Sequence, residues 1–94
     1  MNDSIRIPDI TMDAIGLNRV AEELKRARSM HKGMNSAHEA YSVILEELDE
    51  FWDEVKKKRE RRDTDAMGKE LIQIAAMAIR AASDLGITPM EEST

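Results

Sequence analysis

Apolar positions recur with a helical period in three stretches of this chain, separated by two short polar breaks. The first stretch begins near Thr11 or Asp13. It carries Ile15, Leu17, Val20, Ala21, Leu24 and Ala27 on one broad face and is expected to fray over Met30–Gly33. Residues 1–10 show no period, and Ile7-Pro8 disfavours helix, so they read as an extended or loosely docked arm ahead of a single domain over 11–94.

Ser36-Ala37-His38-Glu39 has the capping-box pattern, in which the serine hydroxyl accepts from a first-turn amide and the glutamate reaches back to the cap. A second helix is predicted from there to about Val55. Tyr41, Ile44, Leu45, Leu48, Phe51, Trp52 and Val55 fall within an arc of roughly 120° at 100° per residue, the pattern of a core-facing stripe. The block Lys56-Lys57-Lys58-Arg59-Glu60-Arg61-Arg62 follows, placing positive charge at the helix C-terminus, where the macrodipole favours it; it reads as a solvated helix end.

Asp63-Thr64-Asp65 supplies turn and N-cap residues for a third helix, predicted to end at Leu85 before Gly86 as a left-handed cap, with Pro89 blocking continuation. Within Leu71–Ala82 only Gln73 and Arg80 are not apolar. A helix that is apolar nearly all round is buried, and two partner helices in so short a chain cannot cover it. The expected fold is therefore all-α, with three main helices per chain forming a helical bundle completed by homo-oligomerisation, as homodimer or homotetramer. Ala75, Ala76, Ala78, Ala81 and Ala82 permit close approach, and Met67 and Met77 read as core filler.

Composition narrows the function. There is no cysteine, so disulfides and thiolate metal sites are excluded. Aromatics are confined to Tyr41, Phe51 and Trp52, which favours helices packed through aliphatic side chains. No apolar run approaches the roughly 20 residues a bilayer span needs, so no membrane partner and a cytoplasmic location are expected. The net charge of −5 makes nucleic acid an unfavoured partner; Lys56–Arg62 is the one local candidate, and the acidic helix beside it repels a phosphate backbone.

The chemistry concentrates in Glu46-Glu47-Leu48-Asp49-Glu50-Phe51-Trp52-Asp53-Glu54, which holds six carboxylates and no base. Like charges at i,i+3 and i,i+4 destabilise a helix by roughly a few tenths of a kcal/mol per pair, so compensation is expected, either from water and distant cations on a solvated acidic face or from a bound divalent metal. Glu47, Glu50 and Glu54 lie together beside the apolar stripe, with Asp49 and Asp53 on its other flank. Glu70 opens the third helix at the edge of its apolar arc, one turn before Gln73. Antiparallel packing of the second and third helices brings Glu47, Glu50 and Glu70 to one level, an oxygen-donor set suited to Mg2+.

The bases carry weaker signals. Arg80 shares the Glu70–Gln73 side of its helix; it either pairs with Asp84 at i+4 or reaches a phosphate as a substrate-binding group. Lys25, Arg26, Arg28 and Lys32 form a basic cluster that either steers a triphosphate or neutralises a helix end. His31 and His38 sit at no ligand spacing and read as surface residues.

Glu46-Glu47-x-x-Glu50, followed after nineteen residues by Glu70-x-x-Gln73, resembles the EExxE and ExxD signature of the MazG-like, all-α NTP pyrophosphohydrolase superfamily. The resemblance covers roughly residues 36–85. It implies an all-α domain whose acidic side chains on two neighbouring helices hold magnesium. The implied reaction is hydrolysis of a nucleoside triphosphate between the α and β phosphates, releasing nucleoside monophosphate and pyrophosphate. Carried over by position, Glu46, Glu47, Glu50 and Glu70 match the acidic motif residues, with Glu47 and Glu50 as the catalytic pair. Gln73 stands where the family has Asp and offers magnesium an amide oxygen without charge. That departure leaves a second reading open: a non-catalytic helical oligomer used for nucleotide sensing or protein association.

Overall fold

The computed structural model describes residues 10–87 and contains, among them, three α-helices and no strand. Of the arm expected over residues 1–10, Ile10 instead opens the first helix; residues 1–9 and the stop at Pro89 lie outside the described residues. The helices are α1 (Ile10–Met30), α2 (Ala37–Val55) and α3 (Thr64–Asp84), with a short 3-10 turn over Arg59–Arg61 between the last two. None of them is long and apolar enough to cross a membrane.

Local chemistry sets each boundary. Ser36 Oγ accepts from Glu39 N at 3.0 Å and caps α2, while Glu39 Oε1 accepts from Asn35 N at 2.7 Å. The reciprocal half of the capping box thus reaches one residue further back than predicted. At its other end, Arg62 donates through Nε and Nη2 to Val55 O at 3.2 and 2.7 Å, giving the last turn of α2 a cationic cap. Asp63 Oδ1 accepts from Ala66 N at 3.1 Å and starts α3. The end of α3 is a left-handed cap: Gly86 has φ +67°, and Ile87 N donates to Ala82 O at 3.0 Å.

Helix α3 packs along both other helices. Glu54 near the end of α2 meets Asp63 before α3, and Arg28 near the end of α1 meets Asp84 at the end of α3. The order is therefore up, down, up. The buried core is Val20, Ala27, Met34, Ala40, Ala76, Met77 and Ala81, with Leu24, Val43, Ile44, Ile72, Ala75 and Leu85 packed against it. It is built of small and flexible side chains, and no large side chain is fully enclosed. Met77 fills core as predicted; Met34, in the α1–α2 loop, does so without any periodic signal to announce it.

All three helices differ from expectation in the face they bury. In the α2 stripe, Tyr41, Leu48 and Trp52 stay exposed, with Tyr41 at 66% and Trp52 at 55% of full exposure. The face turned to α3 is centred instead on Ala40, Val43, Ile44 and Glu47, rotated away from the apolar centre. In α3, Leu71 and Ile79 lie about half exposed, while Gln73 is partly buried and Arg80 is only 6% exposed. The first helix follows suit: Val20, Leu24 and Ala27 point inward, whereas Ile15, Leu17 and Ala21 are exposed.

Arg80 is held by a polar latch at the far end of the bundle. It donates through Nη2 to Lys32 O and through Nη1 to Met77 Sδ, and its Nε lies 3.7 Å from Asp84 Oδ2. Asp84 also takes Arg28 Nη1 at 2.8 Å and Met34 N at 2.8 Å. The Arg28 hydrogen bond, then that of Met34 N, holds the Asp84 carboxyl below its ordinary range. The predicted Arg80–Asp84 pair is present, and the latch ties the α1–α2 loop to α3.

Removing the carboxylate leaves a buried guanidinium without its counter-charge. Asp84→Ala is expected to lower the thermal midpoint and to speed hydrogen exchange at the Met34 amide while the α2 amides keep their relative protection. An unchanged Met34 exchange rate would show that the latch does not hold the loop.

Candidate metal centre

Side chains on a straight helix advance about 100° per residue, so consecutive glutamates diverge and glutamates three apart converge. Glu47 and Glu50 therefore share a flank of α2, and the antiparallel α3 sets Glu70 opposite them. Carboxylate oxygens of Glu47, Glu50 and Glu70 all lie within 4.8 Å of one another. Glu47 and Glu70 are partly buried and Glu50 is on the exposed rim. Among the described residues no lysine or arginine forms an ion pair with any of the three.

The electrostatic consequence is large. Burial first, then a hydrogen bond with Glu70 and the charges of Glu50, Glu70 and Glu46, push the Glu47 carboxyl from 4.5 up to about 7. Glu50 is also raised, chiefly by the charge of Glu70. Gln73 sits between the helices. With its amide oriented to satisfy both neighbours, its nitrogen donates to Glu47 Oε1 at 2.8 Å and to Glu70 Oε1 at 3.2 Å. These two bonds align the carboxylates without adding a negative charge to the site.

The remaining motif carboxylates go elsewhere. Glu46 is not among the convergent three: one residue from Glu47, it points about 100° away and lines a neighbouring cleft of about 430 Å3. Gln73 presents donor hydrogens, not the oxygen a metal ligand would need. Glu54, expected beside Glu47 and Glu50, accepts from Lys57 Nζ at 2.9 Å and Asp63 N at 2.7 Å, and these bonds lower its pKa. Asp53 pairs with Lys56 at 3.1 Å. The first two lysines of the basic block thus turn back and neutralise two carboxylates at i,i+3.

The cleft beside Glu46 is also lined by Arg26, His31, Lys32, Glu47, Gln73 and Arg80. Arg26 is engaged with Glu23, with Nε to Oε1 at 2.9 Å, and that bond raises the arginine's pKa and lowers the glutamate's. Arg28 belongs to the latch. Arg80 reaches the cleft floor with its guanidinium committed to Lys32 O and Asp84, so in this structure it braces the wall. His31 and His38 are exposed. Sequence reasoning missed the Gln73 donor role and Glu23; the i,i+3 spacing of Glu23 and Arg26 was a legible signal for the latter.

Three oxygen donors within ion-binding reach, crowded and without a cationic partner, fit a hard divalent cation. No family model matches the chain, nor does any curated protein or solved structure.

A carboxyl whose pKa is raised on folding favours the folded state when protonated. That contribution is complete below about 4.5 and is lost as pH rises through about 7. Asp84, Glu54 and Glu23, with lowered values, act in the opposite sense at acid pH. Glu47→Gln isolates the first effect: its thermal midpoint should match wild type near pH 5 and exceed it at pH 8. Magnesium should close the gap at pH 8 by stabilising wild type. Parallel curves for the two proteins across this range would remove the crowded-carboxylate account.

Proposed function

We propose that this chain is a magnesium-dependent nucleoside triphosphate pyrophosphohydrolase of the MazG-like, all-α kind, self-associating and acting on free nucleotides in the cytoplasm. The observation that supports it is the meeting of Glu47, Glu50 and Glu70 across two antiparallel helices. This is the geometry the acidic signature requires. Its spacing in sequence would be satisfied equally well by carboxylates pointing apart.

Glu47, Glu50 and Glu70 would hold the ion, with Gln73 fixing the orientation of Glu47 and Glu70. A bound magnesium supplies positive charge to phosphate oxygens and makes water more acidic. Water then attacks the α phosphorus, the bond from that phosphorus to the bridging oxygen breaks, and pyrophosphate leaves with the electron pair. Glu50, the exposed member of the three, is the group placed to take the proton from the attacking water. Glu47 releases its own proton when a cation replaces it. In the adjacent cleft Lys32 is the cation a triphosphate tail would meet, among Glu23, Glu39, Glu46 and Glu47, with Arg26 already paired to Glu23.

Gln73 favours a second reading, a nucleotide-sensing or protein-associating oligomer. With an amide where the family has an acid, the site holds one negative charge fewer for neutralising a second ion.

Incubation with a panel of nucleoside and deoxynucleoside triphosphates and magnesium should give monophosphate and pyrophosphate from at least one member. Glu50→Gln should lower kcat by about 10²- to 10⁴-fold with helicity unchanged. If no triphosphate is cleaved but magnesium plus nucleotide raises the thermal midpoint, the sensing reading replaces the catalytic one. Cleavage that survives Glu50→Gln at full rate would remove the assigned proton acceptor.

A further inference from the structure

Two hollows meet at Gln73. One is the polar cleft of about 430 Å3 beside Glu46; the other is a groove of about 900 Å3 between the first halves of α1 and α3. Glu23, Arg26 and Gln73 line both. Along α3 the groove occupies the turns before Gln73, from Thr64 to Ile72, and the cleft the turns after it, at Met77 and Arg80. Helix α1 divides at the same level: Met12, Ile15, Gly16 and Arg19 border the groove, whereas Ala27 and the loop after it border the cleft. Gln73 in turn bonds Glu47 and Glu70, so the hollows join at the carboxylate level.

The hollows differ in chemistry. The groove has Met12, Ile15, Leu71 and Ile72 along its walls, and Ile15 and Leu71 are about half exposed there. It is open where each helix carries a glycine: no atom lies within 4 Å of where a Cβ would stand on Gly16 or Gly68. Inside a helix glycine is less favourable than alanine, and what these two provide is a slot. A nucleoside triphosphate is divided in the same way. Its base is planar with apolar faces, its β and γ phosphates are anionic, and the α phosphorus lies between them. The groove falls within the roughly 300–1,000 Å3 of small-molecule sites. From Gly68 to Gln73 helix α3 rises about 7.5 Å, a span that one nucleoside covers.

We propose that the groove between α1 and α3 is the nucleoside subsite, with the base between Ile15 and Leu71 in the slot left by Gly16 and Gly68, the α phosphorus at the level of Gln73, and the β and γ phosphates in the cleft. The placement rests on the nucleotide reading of the carboxylate site, and it puts the α–β bond where Gln73 holds Glu47 and Glu70. The base is gripped by its faces. Arg19 and Glu22 on α1, and Asp65 and Lys69 on α3, set both signs of charge on both sides of the groove, so its exposed groups favour no single pattern of donors and acceptors. Bases are therefore ranked by the apolar area they bury, purines above pyrimidines.

Calorimetry with the uncleavable α,β-methylene analogues of dATP and dCTP, and with inorganic tripolyphosphate, each in magnesium, reads the subsite whether or not the chain is a catalyst. Wild type should bind the adenine analogue about 3- to 10-fold more tightly than the cytosine analogue. Gly68→Leu puts a good helix former into open space; it should weaken both analogues by about 10-fold or more and leave tripolyphosphate, which has no base, within about twofold. Gly16→Leu should do the same from the opposite wall. An equal loss for tripolyphosphate overturns the subsite, as does full nucleotide affinity in both variants or a wild type that binds none of the three ligands. Tighter binding of the cytosine analogue overturns the ranking by area. Sedimentation tests for a different occupant: a wild-type oligomer whose mass falls in either leucine variant would place a second copy of the chain in the groove and overturn the nucleoside. Analogues that bind as expected while no triphosphate is cleaved would uphold the subsite and remove the catalytic reading alone.

Discussion

The angle at which α2 is turned about its own axis decides most of what this molecule presents. Glu47 and Trp52 are five residues apart, about 140° around the helix, so both cannot face α3. Hydrophobicity alone would bury Trp52, Leu48 and Tyr41, each worth about 1.5–3 kcal/mol if fully enclosed. The fold instead turns Ala40, Val43, Ile44 and Glu47 toward α3 and leaves Tyr41 and Trp52 in water. It also takes on the cost of partly burying a carboxyl beside two others, visible in the Glu47 pKa of about 7. A chain that gives up apolar burial and places like charges together has two obligations at once: a counter-charge for the carboxylates and a cover for the apolar stripe.

Helix α3 repeats the inversion. Its two polar residues in the apolar run, Gln73 and Arg80, face inward, and its charge-free face looks out. Both inward groups have specific partners, Gln73 in Glu47 and Glu70, Arg80 in Lys32 O, while Arg80 Nε makes no hydrogen bond and has only the charge of Asp84 at 3.7 Å. A buried polar side chain is tolerated when hydrogen bonded and costly otherwise. Each therefore fixes the helix in rotation more sharply than the surrounding alanines, which fit almost any neighbour. Gln73 sets the carboxylate level and Arg80 sets the loop level, one helical stretch apart on the same face.

The helices, their caps and their order were legible in the sequence because these depend on local rules: Ser36, Asp63 and Gly86 act on backbone groups within a few residues. The meeting of Glu47, Glu50 and Glu70 was legible too, from the antiparallel turn and the three-residue spacing. Which face of α2 is buried was legible only in part: Ile44, Leu45, Phe51 and Val55 of the stripe are partly buried and Tyr41, Leu48 and Trp52 are exposed, because a hydrophobic stripe reports what prefers to leave water and not how much of it a neighbouring helix reaches. Glu46 was misplaced by adjacency in the motif, and Glu54 by ignoring Lys57 three residues on. The role of Gln73 was hidden because an amide offers both an oxygen and a nitrogen, and only its neighbours decide which end is used.

The carboxylates and the bare apolar surface belong to the same two helices. Repulsion among Glu47, Glu50 and Glu70 pushes α2 and α3 apart at one level, and what opposes it there is a core of alanine and methionine with no large enclosed side chain. Such a core yields to strain more readily than one of interdigitated leucines, since methionine adapts its shape and alanine makes few contacts. A cation held between the helices would relieve that repulsion. Helix α1 contributes no carboxylate to the three, so its part is to close the third side and to hold Asp84 through Arg28.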